Sequence, residues 1–334
     1  MNDFTSLANL KFIEKELYEK GFSSFFETDV KPVLMPLEAL RLKKIKEISR
    51  RKIIAVGAVM LVLIIEILLF KMGFYDDRDS DGSPPGMFFL ISIFLGIFYI
   101  KAPGAQYEGE VKDTLIPLLL GFYGKFRYEQ KGRIESSTLT SSGIIGNFTN
   151  YDSLDYVNGN YMNVDFKIES AVFKTKSGDN DLLVFGGKVL LIKIHKTFSG
   201  KTVIKKDAGS LFNWINSRGS NLKQIKLEDP RFEEKFEVYS TDQVEARYVL
   251  SPAFMERLLQ LAELYKTKTV QASFFDQNLL VTFSNGHSVP INIFQPRSVK
   301  ESIINTEDIH NFLAQINSIF KIIETINLPS HNAV

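Results

Sequence analysis

Apolar residues are spread unevenly along this chain, and two uninterrupted runs dominate the pattern. Ile53 to Phe70 reads IIAVGAVMLVLIIEILLF, with Glu66 its one ionisable side chain. A helix rises about 1.5 Å per residue, so this run covers about 27 Å, close to the apolar thickness of a bilayer. Met87 to Ile100 reads MFFLISIFLGIFYI and is shorter. It reaches spanning length when Pro84, Pro85 and Gly86 are added in front and Lys101 snorkels behind. The pattern predicts a transmembrane hairpin over residues 53–100, with spans 53–70 and 84–100 and an outer loop 71–83. Two buried core helices are the alternative, but the first run is too uniformly apolar for a one-sided core helix. Residues 1–30 mix Glu14, Glu16 and Glu19 with Lys11, Lys15 and Lys20 and lack the apolar centre of a signal peptide.

Outside the runs the periods are those of ordinary helices and strands. Leu10, Phe12, Ile13, Leu17 and Tyr18 predict a short helix before Pro32 and Pro36 punctuate the chain. Leu37, Leu40, Ile45 and Ile48 then predict a basic helix running into the first span. A further helix is expected over 107–126, interrupted at Pro117. Beyond it, period two takes over. Tyr161 to Lys176, Leu182 to Lys196 and Phe236 to Tyr239 read as strands. Val270 to Phe275, Leu279 to Phe283 and Ser288 to Phe294 read as a meander, with Asn285-Gly286 as a hairpin turn. Helices are expected from Asp242, from Ser251-Pro252 to about Tyr265, and over 306–326. In the last, Ile309, Leu313, Ile316, Phe320 and Ile323 form one stripe that should dock on the sheet; a coiled-coil partner is the other reading. The fold class is therefore α+β: a two-helix transmembrane hairpin, then a cytosolic mixed sheet and helix domain over 101–330 that ends in a helix.

Charge adds direction to this picture. Lys+Arg is 40 and Asp+Glu 39, a net charge of +1, which argues against a generally basic nucleic-acid binder. The local distribution is lopsided. Arg41, Lys43, Lys44, Lys46, Arg50, Arg51 and Lys52 form a basic juxtamembrane collar, whereas the loop between spans holds Lys71 and Arg78. The positive-inside rule puts the N-terminal segment, residues 1–52, in the cytoplasm, and two spans return the C-terminus to the same side. The lipid bilayer is then the first partner, with a protein partner expected through the cytosolic domain. Cysteine is absent, which excludes disulfides, zinc–thiolate sites and thiol nucleophiles.

Chemistry is sparse. Glu66 at membrane depth could be protonated, could snorkel, or could pair across a helix contact. Asp77, Asp79, Asp81 and Gly82 spell half of a calcium loop, but the twelfth position, which needs a bidentate Glu, is Phe88, so these are weak metal candidates and no cofactor is expected. Ser199-Gly200-Lys201-Thr202 resembles the end of a phosphate-binding loop, yet a glycine is missing upstream at His195 and a strand-like TVIKK follows. The histidines, His195, His287, His310 and His331, show no i,i+4 metal spacing. The densest polar cluster is Thr241, Asp242, Glu245, Arg247 and Tyr248. As a ligand clamp, Arg247 would recognise a carboxylate or phosphate. As structure, Asp242 and Glu245 have capping-box spacing, with Arg247 in a local ion pair and Tyr248 in the core.

The stretch from Leu227 to Leu259 closely resembles the signature segment of a bacterial family known as domain of unknown function three-one-three-seven, loosely labelled galanin-like. The residues that carry it are Phe236, Val238, Tyr239, Thr241, Asp242, Glu245, Ala246, Arg247, Tyr248 and Pro252. Phe198 to Thr202 and Asp155 to Gly159 resemble two further segments of the family. The resemblance implies a two-span bacterial inner-membrane protein with a soluble domain; it brings no reaction, ligand or catalytic residue. The function expected is that of a membrane-anchored binding or scaffold module. The alternative is an enzyme at the cytosolic membrane face using Asp242, Glu245 and Arg247, which requires those side chains to converge in one pocket.

Overall fold

The structure, a computed structural model, describes residues 9–73, 86–178, 180–194, 198–206, 221–264, 269–284, 297–302 and 305–327. The outer-loop aspartates, His195, His287, His331, the Asn285-Gly286 turn and the strand expected from Ser288 lie outside these residues. The chain divides into two compact units. The first comprises Met1–Ile13, Gly21–Leu115 and Pro296–Thr306; the second comprises Glu14–Lys20, Ile116–Gln295 and Glu307–Val334.

The first unit is dominated by two long helices, α1 (Lys31–Lys71) and α2 (Met87–Gly121), each long and apolar enough to cross a membrane. The N-terminal helix expected over residues 1–30 is replaced by short pieces. Gly21, at φ +89°, starts a four-residue helix, Phe22–Phe25, and a π-turn, Phe26–Val30, leads into α1. Neither Pro32 nor Pro36 breaks the chain: the helical path continues from the π-turn through Pro32, and α1 continues through Pro36. Likewise α2 runs through Pro117 without the expected interruption.

Contacts along their length set α1 and α2 antiparallel. Lys44 donates to Gln106 at 3.0 Å, Arg51 to the Tyr99 carbonyl at 2.9 Å, Gly96 faces Ala55 and Val59, and the Phe89 N–H donates to Glu66 at 3.1 Å. Two of these repair helix defects. Pro103 lacks the N–H that would bond to Tyr99, four residues earlier, and Arg51 supplies a donor instead while lying over the Tyr99 ring at 4.5 Å. Phe89 stands in the first turn of α2, where backbone N–H groups lack helical partners, and Glu66 provides the acceptor. Of the readings open for Glu66, pairing across the helix contact is the one observed; the side chain is 8% exposed. Arg41 is not part of a surface collar. It is buried against Glu38, and Lys44 and Arg51 are engaged as above, leaving Lys43, Lys46, Arg50 and Lys52 exposed.

The hairpin register is open to a direct test. A Cβ built on Gly96 lies 3.6 Å from the Ala55 Cβ, inside the disulfide range of about 3.5–4.5 Å. The chain has no other cysteine. Ala55→Cys with Gly96→Cys should therefore cross-link on mild oxidation, read as a shift in gel mobility reversed by reductant. Val56→Cys with Gly96→Cys is the control, since Val56 is 61% exposed on another face. Equal cross-linking of both pairs would rule out this packing.

Among the described residues, the second unit is built on a nine-stranded sheet in which every pairing is antiparallel. The strands are β1 (Arg127–Glu129), β2 (Asn150–Tyr161), β3 (Val164–Ser177), β4 (Asn180–Lys193), β5 (Thr202–Lys205), β6 (Lys223–Ile225), β7 (Glu237–Ser240), β8 (Thr269–Phe275) and β9 (Asn278–Ser284). Their order is β1-β2-β3-β4-β9-β8-β5-β7-β6. Among the described residues it also carries helices α3 (Ser136–Ser142), α4 (Pro230–Lys235), α5 (Gln243–Val249), α6 (Pro252–Leu264) and α7 (Thr306–Asn327). The α+β class is thus observed. The strand expected over 161–176 is corrected at its start: Met162 and Asn163, both at positive φ, form a two-residue turn between β2 and β3. Asp276 and Gln277 do the same between β8 and β9.

Helix α7 docks by the predicted stripe. Ile309, Leu313, Ile316, Phe320 and Ile323 are all buried, and Phe320 stacks on Tyr161 with ring centres 3.9 Å apart. The other sheet face is covered around α3 by Ile134, Leu139, Ile144 and Ile145, packed on Tyr156, Phe173 and Val189. The segment 14–20 lies against α7, where Glu19, 1% exposed, pairs with His310 at 2.6 Å.

Candidate functional site

The polar cluster at Thr241–Tyr248 grows out of the end of β7. Asp242 is extended, and its carboxylate accepts from the N–H groups of Val244 at 2.7 Å and Glu245 at 3.0 Å, so it caps α5 as its spacing predicted. The reciprocal half of a capping box is not made. The Asp242 N–H goes to the Ser240 hydroxyl at 3.1 Å, and Glu245 turns away from its own helix.

Glu245 instead accepts from the segment that leads into β5. Its partners are the Ser199 N–H at 3.1 Å, the Ser199 hydroxyl at 3.2 Å and the Gly200 N–H at 2.7 Å. Alongside, the Lys201 N–H donates to the Thr241 hydroxyl at 2.8 Å and the Thr241 N–H to the Lys201 carbonyl at 3.0 Å. Lys201 Nζ reaches the Ser141 carbonyl at the end of α3, at 2.6 Å. Two of the three segments that carried the family resemblance therefore clasp each other. Gly200 is required by this approach, because a Cβ there would lie 2.7 Å from the Glu245 carboxylate and 2.9 Å from the Thr241 hydroxyl. The same clasp explains why Ser199–Thr202 resembles a phosphate loop: its backbone donors do cradle an anion, but the anion is the protein's own carboxylate. In the third segment, Asp155 accepts from the Tyr128 hydroxyl at 2.7 Å, and Gly159 lies where a side chain would run into the Phe126 ring.

Arg247 and Tyr248 point elsewhere. Arg247 donates to the Gln243 carbonyl at 3.3 Å and lines a cavity of about 390 Å³, walled by Leu227, Leu250, Pro252 and Met255 with Glu228 and Asp229 at its edge. Tyr248 is 46% exposed rather than in the core, and borders a different, smaller pocket with Ile194 and Phe274. The four residues Asp242, Glu245, Arg247 and Tyr248 are thus neighbours in sequence that serve three separate places: a cap and clasp, one cavity, and a second pocket.

Among carboxylates and amines, the described groups with strongly perturbed protonation lie in the sheet. Burial pushes the Glu169 carboxyl up to about 7, against hydrogen bonds from the Tyr151 hydroxyl and the Ile134 N–H that favour its charged form. On the opposite face burial drives the Lys188 ammonium down to about 7, while the Asp155 charge opposes the shift. Lys188 reaches Gln315 of α7 at 2.5 Å. Burial likewise lowers Lys205 to about 8. The available sign in the sequence was a charged residue at an inward position of an alternating strand. Among the described residues, no three His, Asp or Glu side chains are grouped as a metal site.

Residues 183–328 match the family model described as protein of unknown function (DUF3137), a range that contains both clasped segments and excludes the one at 155–159. No curated protein matches the chain. Among solved structures, the crystal structure of the mycobacterial trehalose monomycolate transport factor A, TtfA, is similar at 12% identity, covering 59% of this chain and 88% of that one, with a TM-score of 0.27.

Proposed function

We propose that this chain, with its DUF3137 domain over residues 183–328, is an integral protein of the bacterial inner membrane that works as an anchored binding or scaffold module. One observation carries the reading: the α1–α2 hairpin turns its large apolar side chains outward. Ile53, Leu61 and Leu68 on α1, and Leu90, Phe94 and Phe98 on α2, are 53–77% exposed, a patch that soluble monomers seldom present to water. Lipid is the solvent that matches it.

The exposed cations Lys43, Lys46, Arg50 and Lys52 precede the first span and orient it with the N-terminus in the cytoplasm. Each is worth about 1 kcal/mol at an anionic surface. The sheet domain then follows on the cytoplasmic side, together with the C-terminus. A binding role is favoured over catalysis because Asp242 and Glu245 are both occupied by backbone N–H donors, so of the clustered residues Arg247 lines this cavity without them, with Glu228 and Asp229 at the same edge. An arginine beside an apolar wall suits the carboxylate or phosphate of a partner.

Reporter fusions test the topology. A fusion at Val334 should report cytoplasm, and one placed within residues 76–82 should report the outside. The opposite pair of signals would refute the orientation, and identical signals at both sites would refute the hairpin as a membrane-crossing element.

A further inference from the structure

A concavity of about 800 Å³ lies on the sheet face that α3 partly covers, over β2, β3, β4 and β9. The register explains its lining. Asn158 pairs with Lys167, and Lys167 with Leu191; one step along, Asn160 pairs with Asp165, and Lys193 with Asn278. Side chains two apart on a strand share a face, so all of these project into the same space. Tyr156 and Leu191, 7% and 8% exposed, form an apolar floor beneath a polar rim.

The charges of the rim are unbalanced. Asp165 is engaged by the Asn160 amide at 2.7 Å. The side chains of Lys167 and Lys193 make no hydrogen bond or ion pair among the described residues, and the two are diagonal neighbours on adjacent strands. That relation puts their Cβ atoms about 7–8 Å apart, so two flexible ammonium groups can close on a single anion between them. Asn158 and Asn278 add neutral donors and acceptors around the same space. The volume falls in the usual range for small-molecule sites, and exceeds what a bare anion needs.

We propose that this groove binds a phosphate ester of a small polar molecule, with the phosphate between Lys167 and Lys193 and the remainder over Tyr156 and Leu191. Neither the membrane topology nor the Arg247 cavity enters the argument, so the groove stands or falls separately from them. Phosphate esters come both as soluble metabolites and as phospholipid headgroups, and the experiment separates the two.

The full chain is held in non-ionic detergent micelles and titrated with inorganic phosphate and with glycerol phosphate. It is then reconstituted into vesicles with and without phosphatidylglycerol. In each case, protection of Lys167 and Lys193 from an amine-reactive label is read against the exposed Lys223. Selective, saturable protection by glycerol phosphate in micelles supports a soluble ligand; selective protection in phosphatidylglycerol vesicles alone supports a lipid headgroup. In parallel, Lys167→Gln with Lys193→Gln should weaken binding about tenfold or more, with the thermal melt unchanged. No selective protection in any arm, or binding that the double variant leaves intact, would overturn the proposal.

Discussion

Replacing Arg41 by alanine is expected to destabilise the first unit by about 3–5 kcal/mol, the usual cost of stranding one member of a buried ion pair. Glu38 is 0% exposed and Arg41 4%. The guanidinium holds the carboxylate through Nε at 2.9 Å and Nη2 at 2.6 Å, and donates through Nη1 to the Val299 carbonyl at 3.2 Å. Removing it leaves a carboxylate without water or a cation, and an acceptor without a donor. Tyr107, 1% exposed, registers the same charge: its hydroxyl is pushed up first by burial and then by Glu38. The instructive companion is the double variant Glu38→Met with Arg41→Met. Two apolar side chains of similar length need no pairing, so it should lie near the wild type. Thermal unfolding of the full chain in detergent, followed by limited proteolysis, measures both. A double variant as unstable as Arg41→Ala would show that the pair is net stabilising, and not merely costly to break.

Between about pH 4.5 and pH 7 the wild-type sheet should lose stability on the order of 3 kcal/mol through Glu169 alone. The sign follows from proton binding. The folded carboxyl titrates near 7, the unfolded one near 4.5. Below 4.5 both are protonated and the native preference is complete. As the pH rises, the unfolded chain ionises first and is favoured, and the preference is gone once the pH passes 7. Glu169→Gln keeps an acceptor for the Ile134 N–H beside Tyr151 but cannot ionise. Denaturation at pH 5 and pH 8 should show the variant gaining relative to wild type at the higher pH. If the two proteins keep the same difference at both pH values, the carboxyl is not being held neutral by the fold.

These groups mark where the amino-acid pattern was legible and where it was not. Bilayer-length runs, period-two strands, the Asp242 cap and the Ser251-Pro252 helix start are local signals, and local signals survive folding. The turns at Met162-Asn163 and Asp276-Gln277 escaped because positive φ was reached without glycine. Pro103 and Pro117 escaped because α2 continues through them; at Pro103 the repair comes from Arg51, which acts on a carbonyl 48 residues away. The spacing of Glu245 to Asp242 allows half of a capping box, yet the partner of Glu245 lies 45 residues upstream. Arg41 looked like one more cation in a collar; only burial beside Glu38 distinguishes it. The candidate site suffered most, since sequence adjacency of Asp242, Glu245, Arg247 and Tyr248 says nothing about which direction each faces once α5 forms.

The two sheet faces also set a proton balance. Glu169 and Lys188 are buried on opposite sides and both titrate near 7 in the folded chain, from unfolded values of 4.5 and 10.5. Folding at pH 7 therefore takes up about half a proton at the carboxyl and releases about half at the ammonium. The two slopes cancel there, although each group is at a disadvantage relative to its own favourable extreme of pH. A stability curve should therefore pass through a minimum near neutrality, where the two opposed ionisations meet. Either one, removed alone, should tilt it.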